Sequence, residues 1–148
     1  MSNREPLPFE TTIRVRDTCL CLHLQRAARA VARRFDELLR PVGLTSGQFS
    51  LLMSLNRAEP PTIRSVAELL AMDRTTLTAA LKPLERRRLV KQAVDDGDRR
   101  IRRLRLTPAG TALLLAAVPI WTQVHAAAER VLAGTDIDRL RADLRALS

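Results

Sequence analysis

Tyrosine is absent from this chain of 148 residues, and its other aromatics are one Trp and three Phe. Proteins that hold single-stranded nucleic acid stack its bases on aromatic rings, so this scarcity argues against such a platform. Lysine is nearly absent too: Lys82 and Lys91 are the two, and Arg supplies the rest of the 25 basic side chains. The two cysteines, Cys19 and Cys21, make no disulfide framework and point to a reducing compartment, the cytoplasm. The two histidines, His23 and His125, are too few for a metal site without more help. The longest uncharged apolar run, 112–121, is half of the ~20 residues that a membrane span needs. The first ten residues lack the basic-then-apolar order of a signal peptide. Paired carboxylates, a glycine-rich phosphate loop and a hydrolase triad are all missing. The expectation is therefore a protein that is not an enzyme, with no cofactor, no metal and no membrane partner.

What is present is apolar material and positive charge. Hydrophobic residues make up 46% of the chain, enough for the core of one domain. The formal net charge is +9, and the pI is about 11.3. That balance calls for a polyanion, with nucleic acid first and an anionic membrane surface second. Its distribution is uneven. Residues 60–110 hold 12 basic and 6 acidic side chains, whereas 111–148 hold 4 of each. Two thirds of the excess thus lies in the middle third, although a plain solvated arginine face would also account for part of it.

The pattern along the chain is mainly helical. Pro6 and Pro8 suggest a loose arm over the first ten residues. Leu20, Leu24, Ala27, Val31, Phe35 and Leu38 then recur at helical spacing, which predicts one long helix over 17–40, ended by Pro41 and Gly43. Thr45 and Gln48 have capping-box spacing before a helix with Phe49, Leu52, Met53 and Leu55 inward. Thr62 caps a short helix with Val66, Ala67, Leu69 and Leu70 inward, and Asp73 caps another over 74–88 with Leu77, Leu81 and Leu84 inward. Residues 89–94 and 101–106 read as strands around the turn signal Asp95-Asp96-Gly97-Asp98. Thr107-Pro108 opens a long apolar helix, with Pro119 as a kink and Gly134 at its end; a short amphipathic helix closes the chain.

Helix, tight turn, helix and charged hairpin between Thr62 and Leu106 make a winged helix-turn-helix. The second of those helices presents Arg74, Thr75, Thr76, Thr78 and Ala79 from its first turns, where a recognition helix meets base edges in the major groove. Lys82 and Arg86 lie further along. Arg86, Arg87 and Arg88 diverge by about 100° each, so one phosphate contact is expected among them. The hairpin tip would lie beside the minor groove, with Arg99 or Arg100 inserted. Asp95 and Asp96 are read as turn formers.

These segments together resemble the MarR family of bacterial transcription regulators. The residues that carry the resemblance are Val66-Ala67-Glu68-Leu69-Leu70, Asp73-Arg74-Thr75-Thr76-Leu77-Thr78, Leu84-Glu85-Arg86-Arg87-Arg88-Leu89-Val90, Asp95-Asp96-Gly97-Asp98-Arg99-Arg100 and Leu106-Thr107-Pro108-Ala109-Gly110. Ala71 departs from the pattern, since a glycine there would ease the turn. The resemblance implies one domain over 1–148, mainly α with a small β-wing. It implies a DNA-binding lobe over 45–106 and dimerisation helices over 17–40 and 108–148. It further implies a homodimeric repressor on a pseudo-palindromic double-stranded operator, with Arg100 as the wing arginine and Asp98 as its salt-bridge partner. Release by a small, aromatic-type effector is the leading expectation.

Cys21 opens an alternative, because it matches the reactive cysteine of the peroxide-sensing OhrR branch. The tyrosines that hold the thiolate in that branch are replaced here by Gln25 and Phe35. A small buried cysteine at a dimer interface is the plainer reading. Cys19 and His23 share a helix face at metal-ligand spacing, but two ligands are too few. Trp121 is read as filling the dimer core rather than as a pocket wall. Two other classes stay in view: a thiol redox enzyme centred on Cys21, and a winged-helix module for protein contacts.

Overall fold

The computed structural model describes residues 6–148. Its elements, in order, are α1 (Phe9–Thr18), α2 (Leu20–Leu39), a 3-10 turn (Arg40–Val42), α3 (Ser46–Ser54), α4 (Ile63–Leu69), α5 (Arg74–Arg86), β1 (Val90–Val94), β2 (Arg102–Leu106), α6 (Pro108–Val131) and α7 (Ile137–Arg145).

The N-terminal region departs from the expected loose arm and single helix. Met1 to Glu5 lie outside the described residues, but α1 already begins at Phe9. Pro8 does not prevent this, because it stands at the N-cap, where its missing N–H leaves no bond unmade, and its carbonyl accepts from Thr11 N at 3.0 Å. Cys19 is extended (φ −69°, ψ 108°) and divides α1 from α2, so the residues expected as one helix over 17–40 belong to two. The Thr18 hydroxyl turns back to the Arg14 carbonyl at 2.7 Å, a local bond that competes with helix propagation.

α2 meets the core through Phe35 and the fully buried Leu39. The stripe read from the sequence is only partly used, since Leu20, Val31 and Leu38 stay exposed in the single chain. Gly43, at φ +68°, turns the chain toward α3. There Thr45 and Gln48 form the expected capping box, with both bonds at 3.1 Å. Phe49, Leu52 and Leu55 are buried as expected, and so is Leu51, which was not anticipated. Met53 and Leu69, expected inward, are exposed instead, because both line a cavity rather than the core.

β1 and β2 pair antiparallel, with Val90 opposite Leu106 and Gln92 opposite Leu104. Leu104 is fully buried, and its N–H donates to the Pro61 carbonyl at 2.9 Å, while Thr62 forms a bridge to Arg103. The loop before α4 therefore adds a short third rung to the hairpin. The hairpin is joined to α6 just as closely. Thr107 N–H donates to the Leu89 carbonyl at 3.0 Å, and its hydroxyl donates to the Arg88 carbonyl at 2.6 Å. A Cβ on Gly110 would lie 2.2 Å from the Leu89 oxygen, so only glycine allows this approach. Two residues without that freedom adopt left-handed backbone: Ala71 at φ 51° in the α4–α5 turn and Arg88 at φ 56° after α5.

α6 is continuous through Pro119 and has 24 residues. Gly110, Leu114, Ala117 and Val124 face inward, while Leu115 and Val131 are 72% and 75% exposed. It is the one helix among the described residues that is long and apolar enough to cross a membrane. α7 is held to it by Arg141, which pairs with Glu129 and also binds Asp138 at 2.9 Å.

Candidate nucleic-acid interface

Helix α5 is oriented by what it buries. Leu77, Leu81 and Leu84 are fully buried on one side. With about 100° between successive residues, Thr75, Ala79, Lys82 and Arg86 must then fall on the opposite side, with Arg74, Thr76 and Thr78 flanking them. Arg74, Thr75, Thr76, Thr78, Ala79, Lys82 and Arg86 are all exposed. Pro83 lies in the penultimate turn, where a missing N–H costs the helix one bond near its end.

The three threonines differ in what their hydroxyls do. Asp73 accepts from Thr76 N at 2.8 Å and from the Thr76 hydroxyl at 2.6 Å, so cap and side chain are locked together. These bonds hold the Asp73 carboxyl below the usual carboxylate range. The Thr78 hydroxyl donates to the Arg74 carbonyl at 2.7 Å. Thr76 and Thr78 thus offer acceptor lone pairs outward. Thr75 keeps a hydroxyl with no partner among the described residues.

At the hairpin tip, Asp98 accepts from Arg100 N–H at 2.9 Å and from Nε and Nη2 of its guanidinium at 3.1 Å. Arg100 is nevertheless 90% exposed, an oriented arginine on an open tip. The pairing lowers the Asp98 pKa and raises that of Arg100. Arg99 beside it is exposed. Asp95 is more than the turn former expected of it. It accepts from Gly97 N and Asp98 N at 3.0 Å each, and it pairs with Arg103 across the hairpin. The Arg103 hydrogen bond is the main cause of its lowered pKa. The sequence offered no sign of this, because Arg103 is one of five arginines between 99 and 105.

The candidate sensing residues lie elsewhere. Cys21 is exposed in the single chain, and Gln25 Nε2 donates to its sulfur at 3.4 Å. Cys19 is half-buried, and His23 Nδ1 meets the Cys19 carbonyl at 2.8 Å rather than its sulfur. The shared face of Cys19 and His23 is thus used by a backbone contact. No group of three or more His, Cys, Asp or Glu side chains comes together among the described residues.

Trp121, expected to fill the dimer core, packs against the hydrophobic core of the single chain. It is half-buried between two cavities. One, of about 440 Å³, is lined by Phe49, Met53, Leu69, Leu70 and Val118 together with Trp121. The other, of about 360 Å³, lies toward α2 against Val31 and Phe35. The indole stacks on Phe49 (centroids 6.4 Å apart) and on His125 (4.8 Å). Met53 and Leu69, misplaced by the sequence reading, face the first of these cavities.

Comparison with known proteins agrees with this geometry. A family model described as the MarR family matches residues 42–101, the span from the end of the 3-10 turn to the wing tip. The Mycobacterium tuberculosis transcriptional regulator MosR, solved in complex with DNA, is 37% identical; the match covers 87% of this chain and 92% of that one, with a TM-score of 0.77. The transcriptional repressor CouR, solved on a 23-mer DNA duplex, is 29% identical over 97% of this chain and 96% of that one, with a TM-score of 0.72. The organic hydroperoxide resistance transcriptional regulator of Bacillus subtilis is 28% identical over 86% of both chains. Mostly helical, with a two-stranded wing and a recognition helix held by three buried leucines, the chain belongs to the MarR family of DNA-binding transcriptional regulators.

Proposed function

We propose that this chain works in the cytoplasm as a homodimeric repressor on a pseudo-palindromic operator, as a binding protein and not a catalyst. The observation that carries the reading is the pairing of an open α5 face with an exposed Arg100 already oriented by Asp98. Thr75 and Arg74 meet base edges in the major groove, Thr76 and Thr78 accept there, and Lys82 and Arg86 take phosphates. Arg100, with Arg99 beside it, enters the minor groove. The exposed apolar side chains of α1, α6 and the residues after α7, among them Phe9, Leu115, Val131 and Leu147, support a second copy as the cover of that surface. In this reading the lobe spans 45–106, and 17–40 and 108–148 supply dimer contacts, joined by α1.

A small, flat apolar effector fits the cavity beside Trp121, whose walls come from both the lobe (α3, α4) and α6. Binding there shifts DNA affinity only if the two lobe arrangements differ in their affinity for the effector. A second reading keeps Cys21 as a peroxide sensor, favoured by its exposure and by the Gln25 donor at its sulfur.

The test is a salt titration of duplex binding, using a labelled duplex selected by the wild-type protein from a random pool. Arg100→Ala should weaken binding about tenfold or more and flatten the salt dependence. Unchanged affinity and slope would remove the wing from the interface. Stoichiometric loss of binding on peroxide treatment, absent in Cys21→Ser, would favour the second reading.

A further inference from the structure

The wing carries five arginines, Arg99, Arg100, Arg102, Arg103 and Arg105, and on charge alone all five count toward DNA. Four are exposed, whereas Arg103 is turned inward, with its side chain 35% exposed and that of its partner Asp95 17% exposed. Its guanidinium has two separate anchors. Nε pairs with Asp95, the carboxylate that also accepts the Gly97 and Asp98 amides of the tip. Nη1 donates to the Pro60 carbonyl at 2.8 Å, two residues before the cap of α4. The backbone repeats the connection, since Thr62 bridges Arg103 and Leu104 N–H donates to Pro61.

One planar side chain therefore spans the tip turn, the second wing strand and the entrance to the helix-turn-helix. A planar guanidinium held at two points fixes angle as well as distance, which a lysine cannot do. From this geometry we infer that Arg103, with Asp95, is a positioning residue for DNA binding: it touches no DNA and sets the height and angle at which the Asp98–Arg100 tip meets the groove. This rests on the wing reading given above.

The sign of one substitution separates positioning from plain electrostatics. Asp95→Asn removes a negative charge from a surface that faces phosphate, so a field effect alone would tighten binding. It keeps an oxygen for the Gly97 and Asp98 amides but loses the ionic partner of Arg103. The inference expects Asp95→Asn to weaken binding of the selected duplex about five- to tenfold. Arg103→Gln should weaken it similarly, and Arg103→Lys should restore only part of the loss. Combined with Arg100→Ala, Arg103→Gln should add little, because the tip contact it positions is already gone.

Unchanged or tighter binding by Asp95→Asn overturns the inference. So does additivity of Arg103→Gln with Arg100→Ala, which would mean that Arg103 contacts DNA directly. Thermal melting of each variant, followed by circular dichroism, separates these results from a lobe that fails to fold. If Arg100→Ala alone leaves binding unchanged, the wing reading fails first, and that result is distinct from a failure of Arg103.

Discussion

Between Leu44 and Leu106 the large aliphatic side chains are mostly inside: Leu52, Leu77, Leu81, Leu84 and Leu104 are fully buried in the single chain. In α1, the outer face of α6, and α7 with the residues after it, large apolar side chains stand in solvent, as Phe9, Leu115, Val131 and Leu147 do. The lobe carries two thirds of the charge excess, while the C-terminal region carries none. The lobe is thus complete as a fold and open as a charged surface. The terminal helices are open as an apolar surface and incomplete as a fold. Burial of apolar area drives both folding and association, so the same physics that closes the lobe within one chain needs a second chain at the termini.

The largest effect should come from charging the terminal face. Leu115→Glu together with Val131→Glu alters no buried residue of the single chain. It should halve the mass seen by light scattering and lower duplex affinity about 100-fold, because two linked half-site contacts become one. A dimer of unchanged mass would break the contrast. Next is the junction between the two regions: Gly110→Ala places a Cβ against the Leu89 carbonyl and should cost about 3 kcal/mol or more in thermal denaturation. A smaller effect of opposite sign is expected within the lobe. Ala71→Gly relieves a left-handed alanine and should stabilise by about 0.5–1 kcal/mol, less than the strain itself because glycine also loosens the unfolded chain.

Acid should act on the lobe last and least. Asp73, Asp95 and Asp98 all have pKa values lowered in the folded state, chiefly by hydrogen bonds from Thr76, Arg103 and Arg100 respectively. Their contribution is fully present above the unfolded carboxylate value of about 3.9 and is lost as pH falls through the lower folded values. Melting temperature should therefore begin to drop only near pH 4. Asp73→Asn should reduce that acid-dependent drop.

Much of the lobe was legible because its signals are local. Thr45, Thr62, Asp73 and Thr107 each cap the helix that follows them, and each makes the expected side-chain bond to the third residue on. The buried stripe on α5 follows from spacing alone. Ala71 was picked out as the place where glycine would ease the turn, and its positive φ gives the reason. The misreadings have long-range causes. Met53 and Leu69 look like core residues by period, but they face a cavity whose other walls come from α6. Arg103 cannot be told from its neighbours without the Pro60 carbonyl, which lies 43 residues away in sequence. α1 was missed because two prolines were read as breakers, where one of them stands at a cap. The α2 stripe was seen, and the exposure of Leu20 and Leu38 in the single chain leaves part of it free for the dimer contacts that the resemblance implies.

The contact at Gly110 also has a mechanical side. With Thr107 bonded to the carbonyls of Arg88 and Leu89, and no side chain between Gly110 and the strand root, α6 and the wing are expected to turn together, as a crank would. At 1.5 Å per residue, the 24-residue arm of that crank is about 36 Å long. A tilt of about 5° about the end near Leu89 moves its far end by roughly 3 Å, and the same tilt rotates the wing tip on the short side of the pivot. Anything that wedges against Val118 or Trp121 therefore pushes on the long handle of a lever whose short end carries Arg100.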